Sequence, residues 1–516
     1  MPLKHKIACG ALVGAALAVA HPSAAQTTTK QTQALQRQIE GLQQQLQSLQ
    51  SQINFQAQVQ AEQQAKTQQQ AKATTAVPAN APRATLSAKN RPGFVSADGQ
   101  NSIELTSRLH LDVADYLHVQ SQARGNPAGS LTSGINARRA RIGILGKFLG
   151  DWNYELTADF GGTSDTTNPG NTGASSSEIN HAYLAYTGFR PVVIEGGYMD
   201  VPWTLDEATS SNDIMFLERA SAGVVATNLA AGDARSALGV RSNGTNWWAG
   251  GYLTGPSAGA LHTGSNGQQL AGVARATFNP IQTDALSLHL GVDGMYVAQP
   301  RSGTPPTDSL TLSDRPGLRV DPTSFVNTGA IATKHAEVIG VEAAAAAGPF
   351  YAQGEYYHYI VDRFSPTPIA NRALNFDGFY VEASYTLTGE GHKYNPETGA
   401  YGTINPAHPV SFKDGGIGAW EIAARFDQID LNSNVTPGVS STVTGGVFGG
   451  IQRTYTAGLN WYVNSNIRFM FNYIHADINK LNAAGVLDTV TSGFGANGVT
   501  NGAHIDALAV RTQVAF

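Results

Sequence analysis

The stretch Trp152-Asn153-Tyr154-Glu155-Leu156-Thr157-Ala158-Asp159-Phe160 decides the fold. Trp152, Tyr154, Leu156, Ala158 and Phe160 share one face, and Asn153, Glu155, Thr157 and Asp159 share the other, the period of two of a β-strand. The apolar face carries aromatics at both ends, and the polar face carries charge. In a soluble sandwich the apolar face would be a core. A polar face this charged suits a strand with lipid on one side and a watered lumen on the other. The pattern recurs. Leu286, Leu288, Leu290 and Val292 alternate with Ser287, His289 and Asp293. Phe379, Val381, Ala383, Tyr385 and Leu387 alternate with Tyr380, Glu382, Ser384 and Thr386, and Tyr455, Ala457, Leu459, Trp461 and Val463 with Thr454, Thr456, Asn460 and Tyr462.

Composition agrees with these strands. The 516 residues include 56 glycines, and only 14% are charged. No apolar run of about eighteen residues follows the N-terminal region, which excludes a bundle of membrane helices. The chain closes with Leu508, Val510, Thr512, Val514 and Phe516 on one face. Bacterial outer-membrane barrels commonly end in this way, which implies the barrel-assembly machinery as a partner in biogenesis. The expected fold is therefore all-β: a large antiparallel transmembrane β-barrel over 94–516, preceded by a short N-terminal α-helical coiled coil. At about ten residues per strand, the barrel has room for roughly sixteen strands, with eighteen possible. Residues 161–178 and 300–333, rich in Gly, Ser, Thr, Pro and Asn, read as external loops.

Residues 1–25 read as a signal peptide. Lys4, His5 and Lys6 precede the apolar run Ile7 to Ala20, and Ser23-Ala24-Ala25 offers a cleavage site. The single cysteine, Cys9, falls inside it, so thiol chemistry and thiolate metal sites drop out of the mature chain. Residues 26–75 are Gln-rich and carry a heptad: Ile39, Leu46 and Ile53 at one position, Leu35, Leu42 and Leu49 at the other. A lone helix with such a seam is marginal, so partner chains are implied, in a number the seam leaves open. Residues 76–93 contain three prolines and read as a linker.

Several segments, in order along the barrel, resemble the phosphate-selective porin O and P family. They are Arg138-Arg139-Ala140-Arg141-Ile142-Gly143 with Gly150-Asp151-Trp152-Asn153-Tyr154, and Glu207-Ala208-Thr209-Ser210-Ser211-Asn212-Asp213 with Phe216-Leu217-Glu218-Arg219. Leu387-Thr388-Gly389-Glu390, Gly418-Ala419-Trp420-Glu421-Ile422-Ala423-Ala424-Arg425, Gly458-Leu459-Asn460-Trp461-Tyr462 and Arg511-Thr512-Gln513-Val514-Ala515-Phe516 follow. The resemblance implies a homotrimer of sixteen-stranded barrels in the outer membrane, with the helical arm in the periplasm, passing small anions such as phosphate or polyphosphate along arginines. Guanidinium groups suit that task, because they make bidentate hydrogen bonds to phosphate oxygens, and a channel needs sites that also release.

Alternation places the cations. Ala140, Ile142, Ile144 and Phe148 form a lipid face, which sends Arg139, Arg141 and Lys147 inward. Arg275, Arg425, Arg468 and Arg511 fall inward on their strands by the same argument. Arg138 and Arg219 join the candidate pore lining through the family segments, Arg219 in an inward loop. Each arginine could instead pair with a carboxylate on a neighbouring strand. Residues 94–516 carry 24 Lys and Arg against 36 Asp and Glu, so anion preference would need a local basic stripe inside an acidic barrel.

Gly255-Pro256-Ser257-Ala258-Gly259 matches a nucleophile-elbow pattern but runs from a strand into a loop, without the helix the motif needs. No P-loop, zincin or dinucleotide fingerprint is present, so no enzyme activity, catalytic residue or cofactor is expected. His475 and Asp477 share a face of a late strand and read as a strand-end hydrogen bond; no metal site is expected. A pI near 6.2 argues against nucleic-acid binding. A general porin without phosphate selectivity, or a barrel that anchors the coil to the cell wall, remain the alternatives.

Overall fold

The computed structural model describes residues 27–74, 81–120, 131–161, 178–232, 234–258, 268–283, 285–300, 308–364, 372–481, 485 and 501–516. The expected signal peptide lies outside them. A closed barrel of sixteen antiparallel strands forms the larger unit. The strands are β1 (Ser102–Gln120), β2 (Gly134–Phe148), β3 (Trp152–Asp159), β4 (Glu178–Phe189), β5 (Val192–Met199), β6 (Arg235–Asn243), β7 (Trp247–Ser257) and β8 (Leu270–Gln282). They continue with β9 (Ser287–Gln299), β10 (Ile331–Ala347), β11 (Phe350–Arg363), β12 (Leu374–Thr386), β13 (Ala419–Ser433), β14 (Val447–Tyr462), β15 (Ile467–Asn479) and β16 (Asn501–Ala515).

Each strand pairs with its sequence neighbours, and β16 returns to β1, so that Arg511 lies opposite Asp112 and Val510 opposite Val113. Phe516 completes the seam by exchanging backbone hydrogen bonds with Ser107, at 3.0 and 2.9 Å. Closure leaves no barrel strand with an open edge, the condition for crossing lipid with strands.

The outer face shows what the alternation encodes. Leu109, Val113, Ile142, Leu156, Leu238, Leu253, Val292, Ile339, Val381 and Leu508 are all exposed, the inverse of a water-soluble protein. Stacked aromatics mark the short-turn end of this face: Phe148 with Trp152 at 6.1 Å, and Trp420 with Trp461 at 5.2 Å. They form the aromatic girdle expected where a barrel meets a membrane interface. Tight turns close that end. At Leu149-Gly150 both residues have positive φ, 50° and 76°, the backbone a twisted two-strand hairpin asks for.

Among the described residues, three inserted segments lie against the inner face. The connection from β5 to β6, residues 200–234, folds inward around α1 (Leu205–Ala208) and α2 (Ser221–Ala230). The stretch 308–330, expected as part of an external loop, is instead largely buried, with Leu312, Leu318, Phe325 and Val326 almost fully enclosed. From the short-turn end, the connection 387–418 brings Ala400, Tyr401 and Ile404 into the interior. A hydrophobic core therefore sits inside the barrel. Trp203, Ala222, Val225 and Ala226 pack among Tyr357, Tyr359, Val361, Phe376, Ile429 and Leu431 of β11 to β13. The Tyr359 hydroxyl donates to the Ala222 carbonyl at 2.6 Å. Burying a large apolar side chain contributes about 1.5–3 kcal/mol, so the helical insert is held against that wall chiefly by the hydrophobic effect.

The stretch expected as a linker, 76–93, is partly structured. Arg83–Leu86 and Pro92–Val95 form a hairpin, and Gly93–Val95 pairs with the start of β1. The N-terminal unit is a helix, Thr27–Thr74, with Ile39, Leu42, Leu46, Leu49 and Ile53 all exposed along it.

Candidate functional site

Inside the barrel, one wall concentrates arginines. Strand β1 sends Arg108, His110 and Asp112 inward between Leu109, Leu111 and Val113. Strand β2 adds three arginines, and its register shows how. His110 pairs with Arg139 and Leu111 with Ala137, so Arg138 is the extra residue of a β-bulge. Strict alternation would put Arg138 and Arg139 on opposite faces. The bulge leaves both buried, at 9% and 5% exposure, with Arg141 beside them at 7%.

Glu218, on the inserted segment, is the hub of this wall. Arg138 grips it with two hydrogen bonds, Nε to Oε1 at 2.8 Å and a terminal nitrogen to Oε2 at 3.2 Å. Arg511 reaches it at 3.0 Å and Arg319 at 3.8 Å. Burial alone would raise the Glu218 carboxyl, but Arg138, Arg511, Arg139 and Arg319 outweigh it and hold the group well below the usual carboxylate range. Arg141 pairs with Asp159 at 2.6 Å, Arg319 with Asp314 at 2.7 Å, and Arg511 with Asp112 at 2.6 Å. Arg108 donates to Ser211 at 2.5 Å and to Ser210 at 3.3 Å. Among the described residues, six arginines (108, 138, 139, 141, 319 and 511) thus gather with the carboxylates Asp112, Asp159, Glu218 and Asp314, and Asp200 lies near enough to Arg141 to feel its charge.

The remaining candidates have different surroundings. Arg425 donates to the Glu218 carbonyl at 2.8 Å and lies 4.7 Å over the Phe216 ring. Arg468 donates to the Ile214 carbonyl at 3.0 Å and to Gln513 at 2.9 Å. Arg511, besides its ion pairs, donates to the Leu217 carbonyl. Three wall arginines therefore hold the backbone of residues 214–218. Arg275 does the same for the segment from the other end: it is paired with Glu342 at 2.8 Å and donates to the Thr398 and Gly399 carbonyls at 3.1 and 2.7 Å. Arg219 folds onto its own segment, donating to the Thr209 carbonyl at 2.9 Å and pairing with Asp206 at 3.1 Å. Lys147, opposite Ser102 and Asn153, lies at the short-turn end of β2, about 20 Å along the strand from Arg141 at 3.3 Å per residue.

Across the barrel carboxylates gather instead. Asp293, Glu342 and Glu355 bring carboxylate oxygens within 4.8 Å of one another, and Glu382 is buried nearby on β12. Gly340 makes room for this, since a Cβ there would meet Asp293 Oδ1 at 2.2 Å. Glu355 accepts from the Leu205 and Asp206 backbone N–H groups at 2.8 and 3.0 Å, fixing the start of α1.

Two contributors were absent from the sequence candidates. Arg108 was available to the same alternation argument, between Leu105 and Leu109. Arg319 had no such signal, because it lies in an irregular segment that reads as loop.

A closed barrel, an outer face of apolar residues and aromatic girdles, and a lumen narrowed by inserted segments beside a charged wall define an outer-membrane porin. The sequence profile described as "Phosphate-selective porin O and P" matches residues 103–516, and the chain belongs to that family. Among curated relatives, "Porin O" of Pseudomonas aeruginosa is 27% identical over 399 residues, covering 75% of this chain and 85% of that protein. A Caulobacter vibrioides protein is 26% identical, covering 77% and 72%. Of the solved structures, an anion-selective porin from Comamonas acidovorans overlaps 81% of this chain and all of its own at 15% identity and a TM-score of 0.45, and OmpT of Vibrio cholerae overlaps 81% and 98% at 10% identity and 0.45. The protein is an outer-membrane porin for anions.

Proposed function

We propose that anions of the phosphate class pass along the wall formed by β16, β1 and β2, with Arg108, Arg138, Arg139 and Arg141 as the residues they meet and Arg319 facing them from the insert. The observation that carries this reading is the concentration of arginines around Glu218. It is local, on strands other than the β11 to β13 face where α2 packs. Arginine forks already divided among carboxylates can exchange partners with a passing anion, which keeps each site weak enough to release. Arg275, Arg425, Arg468 and Arg511 act differently in this reading: they staple the inserts that narrow the pore. Lys147 contributes a more distant charge near the short-turn mouth.

The long connections face outward and the termini the periplasm, where the helical arm reaches, and three copies assemble through its exposed Leu and Ile seam. Phe516 at the barrel seam suits engagement by the assembly machinery. A test is single-channel current in chloride with phosphate titrated in. Phosphate should reduce the chloride current saturably, and the effect should weaken about tenfold in Arg139→Ala, taking roughly 1.5 kcal/mol for one charge-assisted hydrogen bond. Chloride and phosphate carried without mutual interference would favour a general porin instead.

A further inference from the structure

A second cluster of chemistry-bearing side chains lies outside the lumen. His475 and Asp477 sit two apart on β15, and His504 and Asp506 two apart on β16. The register sets His475 opposite Asp506 and Asp477 opposite His504, so two imidazoles and two carboxylates form a square on one face. That face is the outer one. Ile474, Ala476, Ile478 and Ile505, the alternating neighbours, are buried inward, while Tyr473 and Phe471 further along are exposed with the cluster. The square lies near the long-loop end of the barrel wall, and each of its side chains remains about a quarter to two-fifths exposed.

The geometry points to a site for a divalent cation of the zinc class, bound by His475 Nε2, Asp477 Oδ1 and His504 Nδ1. One ligand atom from each of the three residues lies within 4.8 Å of the others. Asp477 Oδ1 is 3.3 Å from His475 Nε2 and in hydrogen-bonding contact with His504 Nδ1. The two rings lie nearly parallel, 16° apart, with centroids at 6.2 Å. Asp506 supplies the outer partner such sites need: its Oδ1 is 2.8 Å from His475 Nδ1 and also accepts from the Tyr473 hydroxyl at 2.6 Å. Donation of Nδ1–H to Asp506 leaves the Nε2 lone pair turned to Asp477, the carboxylate–imidazole arrangement that orients a metal-ligating histidine.

Two imidazole nitrogens and a carboxylate select zinc-like ions over calcium or magnesium, which prefer all-oxygen shells. Three protein ligands leave a fourth position, and it opens outward to water or a headgroup phosphate. Arg453, the register partner of Asp477 on β14, is turned to Gln428 at 2.8 Å and sets the cationic edge of the site. Histidines on other strands, β10 and β11, provide the contrast. His358 pairs with Asp377 at 2.8 Å, and His335 with Asp362, each with no second imidazole in the pair.

The test uses the untagged full-length protein in detergent, stripped with chelator and titrated calorimetrically with ZnCl2, CaCl2 and MgCl2. One zinc per chain is expected, with calcium and magnesium unable to displace it. His475→Gln and His504→Gln should each weaken zinc by at least about tenfold, since even outer partners cost that much, and His358→Gln should leave it unchanged. Anomalous scattering from zinc-soaked wild-type crystals gives a readout that needs no variant, with a peak expected between β15 and β16. No stoichiometric zinc, equal competition by calcium, binding unaltered in both variants, or a peak elsewhere would each overturn the assignment.

Discussion

The wall formed by β16, β1 and β2 and the wall formed by β9 to β12 face one lumen, the first with clustered arginines and the second with clustered carboxylates. On the first, the inserted Glu218 is shared among three arginines. On the second, Asp293, Glu342 and Glu355 converge with Arg275 as the near counter-charge, and Glu342 engages both Arg275 and His289. The difference teaches that the same residue type does two jobs. Where arginines crowd one wall, as around Glu218, they are the groups proposed to meet a permeant anion. Where an arginine is matched and also binds backbone carbonyls, as Arg275 does at Thr398 and Gly399, its role is to fix a segment in place.

The largest expected effect of breaking this contrast comes from the basic wall. Arg138→Gln with Arg139→Gln should abolish most anion preference, measured as reversal potential, because two of the gathered positive charges disappear while the carboxylates beside them stay. Glu218→Gln should act in the opposite direction, raising anion preference by removing the hub's negative charge. Breaking a buried pair costs about 3–5 kcal/mol, so faster hydrogen exchange in residues 214–218 should accompany it.

Arg425→Gln or Arg468→Gln should leave selectivity nearly intact while increasing current noise, because the backbone of 214–218 loses a staple. Acidity offers a gentler probe. The ionised Glu218 is favoured in the fold, so its contribution is present above the ordinary carboxylate range and is lost only as pH falls through its depressed value. Exchange protection of 214–218 should therefore be level between about pH 7 and pH 5, the range above an unperturbed Glu. The smallest effect is expected from Asp293→Asn on the acidic wall, a slight rise in anion preference read from the same reversal potentials.

The barrel was legible because lipid and lumen impose a period of two on every strand. Trp152 to Phe160 carries that period in nine residues, and the terminal run to Phe516 carries it again. Inward placement of Arg141, Arg275, Arg425, Arg468 and Arg511 follows from the same period, but what each arginine touches does not. The partners of Arg425 and Arg468 are carbonyls of residues 214–218, more than 200 positions away in the chain. Arg138 needed a bulge, which alternation cannot show. The inserts were harder still. Residues 308–330 look like loop in composition, and their burial depends on the apolar inner faces of β8 to β15, where Tyr357-His358-Tyr359-Ile360-Val361 departs from a polar lumen.

The most direct measurement compares reversal potentials across a potassium chloride gradient for wild type, Arg138→Gln/Arg139→Gln and Arg425→Gln/Arg468→Gln. Equal numbers of positive charges are removed in the two double variants. Loss of anion preference in the first, with preference retained in the second, is the expected result. Equal loss in both, or full preference retained in the first, would contradict the division of the arginines into those that meet the anion and those that hold the inserts.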